Sequence, residues 1–322
     1  MNTLSSRLLV LCPANANSGG PELLHQFVDA ARSFGRDAKI LYYPFSRENK
    51  KPLKFNDYDA PQGYFEESVG AEIIVPEVAT KLIKRFPSSD ISIWWGSVDF
   101  FFGFARDSLL KDSFRYLRGI AFRRLPLQRL RRYRHFTQSE YAKAFLASNR
   151  IQARMLTDYL NASHFSPLAL KRKMQICYNP AKGIHVTKQL ITRNPDYKFI
   201  PIQGLAPDGV KELLSSSTVY IDFGNHPGKD RMPREAALAG CCVIVGNKGA
   251  AKFQDVAVPS KFKLDESSPE FNEQFSSLVT EIDNDFEAVS QLFDDYRGCI
   301  RGERSEFLSQ VNKYFGAGNE IL

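Results

Sequence analysis

The sequence predicts an α/β protein of two similar halves, each built around a parallel sheet, with the two sheets facing a cleft. Short apolar runs alternate with helical patterns along the chain, which is typical of parallel sheets with crossover helices. The alternation begins again at Lys173, and 322 residues are enough for two domains of ordinary size. Because open α/β sheets bind ligands at the carboxyl ends of their strands, we expect both halves to present loops to the cleft.

The first half begins with a strand and a helix. Short apolar runs predict strands at residues 7–12, 38–43, 72–76, 91–95 and 134–138. Residues 21–34 show helical periodicity through Leu24, Phe27, Val28 and Ala31. Pro21 suits the first turn of this helix, where its missing N–H is not needed.

The second half repeats the pattern. Strands are predicted at residues 174–178, 198–202, 218–223 and 242–246, and helices at 183–192, 207–216, 233–239 and 271–294. Residues 161–173 contain Ser166-Pro167 and a basic cluster that ends at Lys173, so they form the best linker candidate. We therefore expect domains at residues 1–165 and 166–322.

Composition and charge narrow the class of protein. Hydrophobic residues at 43% and charged residues at 25% predict a soluble globular protein and exclude disordered and fibrous classes. The net charge of +7 indicates an anionic partner, and nucleotide sugars, anionic lipid surfaces and nucleic acid all fit. The five cysteines and five histidines follow neither a disulfide nor a metal-ligand spacing. We expect a reducing compartment and no structural zinc.

Neither apolar stretch of the chain predicts a membrane segment. The run from Leu8 to Leu11 is too short for a signal peptide and lacks a cleavage site, so it predicts a buried strand. Residues 91–105 contain Asp99 and are too short to span a bilayer. We expect a cytoplasmic protein, and attachment to the inner face of the membrane stays open.

The most informative segment is residues 219–245, which predicts a strand, a polar loop, a short helix and a strand. The loop places Lys229 and Arg231 beside a helix that begins near Pro233. A helix N-terminus offers unpaired N–H groups and partial positive charge, so two cations beside it make a strong diphosphate site. In a sugar-transfer reaction the leaving group is a nucleoside diphosphate. Stabilising its charge would be the main catalytic effect without a metal.

This segment resembles the nucleotide-binding signature of GT-B glycosyltransferases of the retaining, family-4-like kind, found in bacterial surface-polysaccharide synthesis. Residues 235–244 fit the E-A-x-x-x-G-x-P-V-V part of the helix and strand pattern P-x-x-E-A-x-x-x-G-x-P-V-V, except that Cys242 stands at the second proline. The resemblance implies that Glu235 binds the ribose of the donor nucleotide. The family has another glutamate eight residues earlier, where this chain has Pro227. His226, Lys229 or Asp230 would replace its donor-sugar contacts, or the donor differs.

Two further segments carry the same resemblance. Residues 176–183 are similar to the family's G-R-x-x-x-x-K-G turn, which implies that Lys182 contacts the donor diphosphate and that Tyr178 or Asn179 holds the arginine position. Residues 15–22, with Gly19 and Gly20, resemble the glycine loop that faces the cleft, where backbone N–H groups approach a phosphate or sugar closely. The three segments stand in the family's order. They imply the GT-B fold of two Rossmann-like domains.

Each of these residues also has a purely structural interpretation. Gly19 and Gly20 could form only a tight turn, and Lys229 and Arg231 could belong to a solvated loop. Glu235 could cap its helix, because acidic residues favour first turns. His226 could be a structural loop residue.

Arginine accumulates between Arg115 and Arg134, and no acidic residue interrupts residues 113–139. Leucine, isoleucine and phenylalanine are interleaved, which predicts a basic amphipathic surface suited to anionic lipid, with each cation worth about 1 kcal/mol there. A solvated helix, or one that holds an anionic acceptor, would look the same. Nucleic acid would also suit such a patch, but no recognised binding motif accompanies it, so we expect none.

An aromatic run, residues 94–104, follows a predicted strand and contains one carboxylate, Asp99. The rings could stack on an acceptor sugar, contact a lipid chain or pack between domains. In an inverting transferase Asp99 would be a candidate base for the acceptor hydroxyl, whereas a retaining enzyme needs no such base.

Together these observations predict a glycosyltransferase that binds a nucleotide-sugar donor in its second half and a glycan or lipid-linked acceptor in its first. No metal or cofactor is expected, because cations fill the metal's role and no Asp-x-Asp motif is suitably placed. A nucleotide-sugar epimerase or hydrolase on the same fold is one alternative. A non-catalytic glycan- or membrane-binding subunit is the other, suggested by Pro227.

Overall fold

In the computed structural model, which describes residues 7–16, 18–103 and 124–317, the chain forms two compact units. The first comprises Met1–Asp158 and Arg304–Leu322, and the second comprises Tyr159–Glu303. The first unit thus ends after residue 158, where the sequence suggested residue 165, and the last segment of the chain returns to it.

The first unit contains a parallel sheet in the order β2-β1-β3-β4-β5-β6. Its strands are β1 (Leu8–Pro13), β2 (Ala38–Tyr43), β3 (Glu72–Pro76), β4 (Asp90–Trp95), β5 (Arg134–Thr137) and β6 (Arg154–Met155). Leu9, Val75 and Ile93 are fully buried because helices cover both faces of a parallel sheet, which explains the continuous apolar runs. The five predicted strands are confirmed, and the two-residue β6 was too short to predict.

Helices connect the strands of the first unit, and the following ones lie within the described residues. They are α1 (Gly19–Ser33), α2 (Val98–Phe102), α3 (Leu127–Leu130) and α4 (Glu140–Ser148), with 3₁₀ helices at Leu53–Phe55, Phe65–Ser68 and Glu77–Arg85. The prediction for the glycine loop is wrong in one respect, because Gly19 and Gly20 lie in the first turn of α1. A proline is tolerated throughout a first turn, so Pro21 does not fix the first helical residue.

The second unit contains a parallel sheet in the order β11-β10-β9-β7-β8. Its strands are β7 (Lys173–Tyr178), β8 (Phe199–Pro201), β9 (Ser217–Asp222), β10 (Cys242–Gly246) and β11 (Lys263–Leu264). The four strands predicted for this half are confirmed. Val219, Ile221 and Ile244 are fully buried at the centre of its core.

Helices flank this second sheet. They are α5 (Ile184–Arg193), α6 (Pro207–Ser216), α7 (Arg231–Leu238), α8 (Phe271–Asn284), α9 (Phe286–Gln291) and the first part of α10 (Asp294–Phe315), with 3₁₀ helices at Ala162–Phe165, Gly249–Lys252, Gln254–Val256 and Ser260–Phe262. The residues of α10 from Arg304 onward belong to the first unit. The single helix predicted over 271–294 is wrong. Asp285 interrupts it and caps α9, because its carboxylate accepts a hydrogen bond from the Ala288 N–H at 3.0 Å.

In the part of the chain that the structure describes, no helix combines the length and the apolar character that a membrane span requires.

Candidate functional site

Two loops meet at the carboxyl edge of the second sheet. β7 and β9 are neighbours, with Tyr178 opposite Ile221, so the segments that follow them lie side by side. The first loop leads into α5, and the second, residues 223–230, leads into α7. These are the two segments that the sequence singled out for a diphosphate.

Two glycines allow these loops to touch. Gly183 has φ of +55°, and a Cβ there would lie 2.5 Å from the Gly224 nitrogen and 2.6 Å from the Phe223 carbonyl oxygen. A Cβ on Gly224 would in turn overlap the side chain of Lys182. Both positions therefore need glycine, one for its backbone conformation as well as for space.

Lys182 lies at the centre of a charged cluster. Its ammonium pairs with the Asp230 carboxylate and lies 3.9 Å from Asp222 Oδ2. Asp230 Oδ2 is also 2.8 Å from His226 Nδ1. Asp222 accepts a hydrogen bond from the Gly224 N–H at 3.0 Å, which ties the cluster to the backbone of the second loop.

The cluster shifts the pKa values of its members. Burial lowers the pKa of the Lys182 ammonium, but the charges of Asp222 and Asp230 outweigh burial, so the pKa of Lys182 is raised. Burial raises the pKa of Asp230, but the hydrogen bond with His226 and the charge of Lys182 outweigh it, so the pKa of Asp230 is lowered. The lysine and the aspartate are therefore both ionised at neutral pH.

The same carboxylates form a set that could hold a metal. Asp222, His226 and Asp230 each offer a ligand atom, and these atoms lie within 4.8 Å of one another. Carboxylate and imidazole ligands suit a divalent cation. The sequence did not identify this set, although its members recur every four residues. The Lys182 ammonium lies against the same carboxylates and supplies a positive charge there.

Lys229 does not belong to the Lys182 cluster, although its neighbour Asp230 does. Its ammonium is 2.8 Å from Glu303 Oε1, and its side chain is 12% exposed. Arg234 Nη1 is 2.7 Å from the other carboxylate oxygen of Glu303. Arg234 also donates hydrogen bonds to the carbonyl oxygens of Lys229 and Asp230. This buried triad fixes the end of the second loop.

Arg231 and Glu235 form a pair on the first turns of α7. Arg231 Nε is 3.2 Å from Glu235 Oε1, and Arg231 Nη2 is 3.2 Å from His164 Nε2. His164 is also 3.6 Å from Glu235 Oε1. His164 could not be predicted from the sequence, because nothing in its local pattern distinguishes it. The Arg231 side chain is one-third exposed, at 33%, so it can reach a ligand from this position.

The remaining predicted residue of this edge, Asn179, shapes the first loop. Its side-chain oxygen accepts a hydrogen bond from the Ala181 N–H at 3.0 Å, which forms an Asx turn before Lys182. The second unit therefore brings together Lys182, His226, Asp230 and the loop that carries Asn179. Arg231 directly follows Asp230 as the first residue of α7, and Glu235 lies one helical turn further on.

The predicted residues of the first half lie at the carboxyl edge of the first sheet. Gly19 and Gly20 follow β1, and Asp99 lies in the first turn of α2, after β4. Asp99 is buried and accepts a hydrogen bond from the Tyr141 hydroxyl at 3.1 Å. A Cβ added at Gly20 would meet nothing within 4 Å.

Glu77, which the sequence did not single out, is a second buried carboxyl at this edge. It follows β3 and accepts a hydrogen bond from the Gly96 N–H at 3.1 Å. Burial raises its pKa to about 7, although backbone hydrogen bonds and the charge of Arg124 act in the opposite direction.

Part of the arginine-rich segment, residues 104–123, lies outside the described residues. The described part lines a groove of about 860 Å³ at the amino ends of β4 and β5. Lys84, Arg129, Arg131 and Arg132 are all exposed there, over apolar residues that include Phe86. Within the described residues these four cations make no ion pair with a carboxylate.

The backbone matches known structures over nearly its whole length. No protein-family model and no curated protein matches the sequence. Sucrose-phosphate synthase from Thermosynechococcus elongatus matches with a TM-score of 0.68 and 11% identity, over 95% of this chain and 97% of that one. HepE of Anabaena, in complex with UDP and glucose, matches with a TM-score of 0.67 and 12% identity, over 97% and 100%.

A third structure extends the comparison. WaaG, a glycosyltransferase involved in lipopolysaccharide biosynthesis, matches with a TM-score of 0.60 and 10% identity, over 97% of this chain and 100% of that one. The two parallel sheets, of six and five strands, and these matches show the GT-B glycosyltransferase fold. The fold class predicted from the sequence is confirmed.

Proposed function

We propose that this protein is a glycosyltransferase that moves a sugar from a nucleotide-sugar donor to a glycan or glycolipid acceptor. The observation that carries the proposal is the contact of the Lys182 loop with residues 223–235 at the carboxyl edge of the second sheet. On an open α/β sheet this edge is the place for a ligand. The fold shared with glycosyltransferases, one of them in complex with UDP and glucose, supports the proposal.

The donor diphosphate would lie between Lys182 and Arg231. As the bond between the anomeric carbon and the diphosphate oxygen breaks, negative charge develops on the leaving oxygen. A preorganised ammonium and guanidinium would stabilise that charge without reorganisation. The amide groups at the start of α7 would add their partial positive charge. Glu235 would accept hydrogen bonds from the ribose hydroxyls.

Lys229 takes a supporting role in this proposal. Its contact with Glu303 holds the second loop, so that Lys182 and Arg231 keep their positions. Asn179 supports the first loop through its turn. Pro227 stands where the resembling family has a glutamate that contacts the donor sugar. Neighbours such as His226 and Asp230 would therefore recognise the donor sugar here.

The acceptor would bind at the carboxyl edge of the first sheet, near Gly19, Gly20 and Asp99. We propose that the reaction retains the anomeric configuration and needs no metal, and that it serves surface-polysaccharide synthesis. The resemblance of the donor loops supports these assignments. In a retaining reaction Asp99 contacts the acceptor and does not act as a base.

The donor assignment is tested by nucleotide-sugar binding and by kinetics. Thermal shift against UDP-, ADP-, GDP-, CMP- and dTDP-sugars identifies the donor. Lys182→Ala and Arg231→Ala should each reduce donor turnover about a hundredfold, because each removes a group that stabilises charge in the transition state. Lys188→Ala, an exposed lysine of α5, is the matched control. Unchanged kinetics in both test variants would contradict the diphosphate assignment.

The alternatives give different results in the same experiment. Release of free sugar or nucleotide without an acceptor would indicate an epimerase or hydrolase. Nucleotide binding without turnover for any donor and acceptor would indicate a non-catalytic subunit.

We also propose that the basic groove attaches the protein to an anionic membrane surface. Four exposed cations line this groove, and within the described residues they have no carboxylate partner. They are Lys84, Arg129, Arg131 and Arg132. Basic residues near anionic lipid contribute about 1 kcal/mol each. Acidic lipids on the inner face of a membrane would supply the partner.

Vesicle sedimentation tests this attachment. The triple variant Arg129→Gln, Arg131→Gln, Arg132→Gln should bind vesicles with 30% phosphatidylglycerol about a hundredfold more weakly, since three cations are lost. The control, Lys188→Gln, Arg193→Gln, Arg301→Gln, changes the net charge equally at exposed sites elsewhere. Equal loss in both variants would show a general charge effect only. Salt-sensitive binding to RNA in place of vesicles would refute the membrane assignment.

A further inference from the structure

The first unit contains a cavity of about 1060 Å³ at the carboxyl edge of its sheet. Residues that follow β1, β2, β3 and β4 form its walls, so it lies where an open α/β sheet binds ligands. Its volume is at the upper end of the range for sites that enclose a small molecule.

One wall of this cavity is aromatic and well fixed. The Phe45 ring packs against Phe65, with ring centroids 4.9 Å apart, and edge-on against Phe86 at 5.7 Å. Phe100 projects from α2 and is 45% exposed. The Ser97 hydroxyl accepts a hydrogen bond from the Phe100 N–H, which fixes the start of that helix. A rigid apolar wall with an exposed ring marks a site for an apolar group.

The polar groups of the cavity are almost entirely cationic. Lys81, Arg85 and Arg124 line it, and its described lining includes no aspartate, glutamate, asparagine or glutamine. Sugar hydroxyls are usually bound by such carboxylates and amides, which both fix and orient them. Among the described residues, the lining therefore favours an anion over a neutral sugar.

Arg85 places its charge at the aromatic wall. Its guanidinium carbon lies 5.8 Å from the centroid of Phe45 and 5.2 Å from that of Phe65. Within the described residues it makes no ion pair with a carboxylate. A guanidinium held over two rings keeps its N–H donors for an anion, and its planar fork can bind a phosphate through two hydrogen bonds.

We propose that this cavity binds an amphiphilic acceptor, an apolar chain that carries a phosphate. The chain lies against Phe45, Leu82 and Phe100, and the phosphate binds Arg85. The identification of this occupant as the acceptor rests on the proposed glycosyltransferase function. The binding chemistry itself depends only on the walls of the cavity.

Calorimetric titration without any nucleotide sugar tests the inference. The probes are farnesyl phosphate below its micelle concentration, inorganic phosphate and farnesol. Farnesyl phosphate should bind at least about tenfold more tightly than either, because only it uses both the apolar wall and the cation. Dodecyl phosphate, which has a straight saturated chain, tests whether the site prefers a polyprenyl chain. Weaker binding of dodecyl phosphate assigns the site to polyprenyl phosphates, and equal binding assigns it to apolar phosphate monoesters generally.

Two variants separate the two halves of the site. Phe100→Ser and Arg85→Gln should each weaken farnesyl phosphate binding about fivefold to tenfold. Both residues are exposed, so the variants should fold, and the thermal midpoint checks this. Leu53→Ser, 85% exposed elsewhere in the unit, and Lys50→Gln, an exposed lysine of the same unit that does not line the cavity, are the controls.

The outcomes distinguish this inference from the proposed function. Inorganic phosphate that binds as tightly as farnesyl phosphate, or test variants that behave like the controls, would overturn the inference even if donor turnover is found. Farnesyl phosphate binding that depends on Phe100 and Arg85, without donor turnover, would support the cavity and refute the transferase proposal.

Discussion

At the scale of single residues, the cations of the two donor loops and of the first turn of α7 differ in how the fold uses them. Lys182 and Arg231 are 27% and 33% exposed, so they can exchange a carboxylate partner for a ligand. Lys229 and Arg234, at 12% and 1%, share Glu303 inside the second unit. Sequence spacing alone cannot separate these roles, because all four lie within or beside the same loops.

The triad around Glu303 gives a prediction that separates support from binding. Glu303→Gln should lower the free energy of unfolding by about 3 kcal/mol, because two buried cations lose their charged partner. Lys229→Met should lower the free energy of unfolding by less than this, since Glu303 keeps its pair with Arg234. Urea unfolding measures both. A Lys229→Met variant with unchanged stability but weaker donor binding would instead assign Lys229 to the diphosphate.

At the scale of elements, the contact between the Lys182 loop and residues 223–230 requires a glycine at position 183. Gly183→Ala should lower the free energy of unfolding by about 2 kcal/mol, because it combines a strained backbone with a clash against Gly224. It should also weaken nucleotide binding, since Lys182 is the preceding residue. Chemical denaturation and calorimetry check the two effects.

The control for this prediction lies on α10. A Cβ at Gly298 would meet nothing within 4 Å, and the position is helical and exposed. Gly298→Ala should therefore raise the free energy of unfolding by about 0.5–1 kcal/mol. If both alanine variants are destabilised equally, the loop contact is not the cause.

Sequence patterns located the strands well because each is a short apolar run buried on both faces. Helix starts were less accurate. α1 and α7 both begin two residues before the expected proline, since any residue of a first turn can lack its N–H. The last helix was missed, although Tyr296, Ile300, Phe307 and Val311 are buried at helical spacing. Its many charged residues obscure that pattern.

The candidate site could be predicted only as a set of loops. The sequence identified the segments of Lys182 and Arg231 because each combines glycine, proline and cations after a strand. It could not show that Asp222 and Asp230 lie against Lys182, since these contacts depend on the register of β7 against β9. It also missed His164 and Glu303, which join the site from distant parts of the chain.

At the scale of the whole molecule, Glu77 links stability to pH. The pKa of this carboxyl is about 7 in the folded chain and about 4.5 when unfolded, because burial disfavours its charge. The folded state therefore binds the proton more tightly. Its contribution to stability is complete below pH 4.5 and is lost as the pH rises to 7.

Glu77→Gln tests this link, because a glutamine can still accept the hydrogen bond from Gly96 but does not ionise. The free energy of unfolding of the wild type, relative to this variant, should fall by about 3 kcal/mol between pH 4.5 and pH 8. Urea unfolding at several pH values measures the difference, and it cancels groups common to both proteins. A difference that stays constant over this range would show that Glu77 ionises at its ordinary pKa. If the stability of the wild type relative to the variant rises with pH instead, a nearby cation such as Arg124 holds the Glu77 carboxyl ionised.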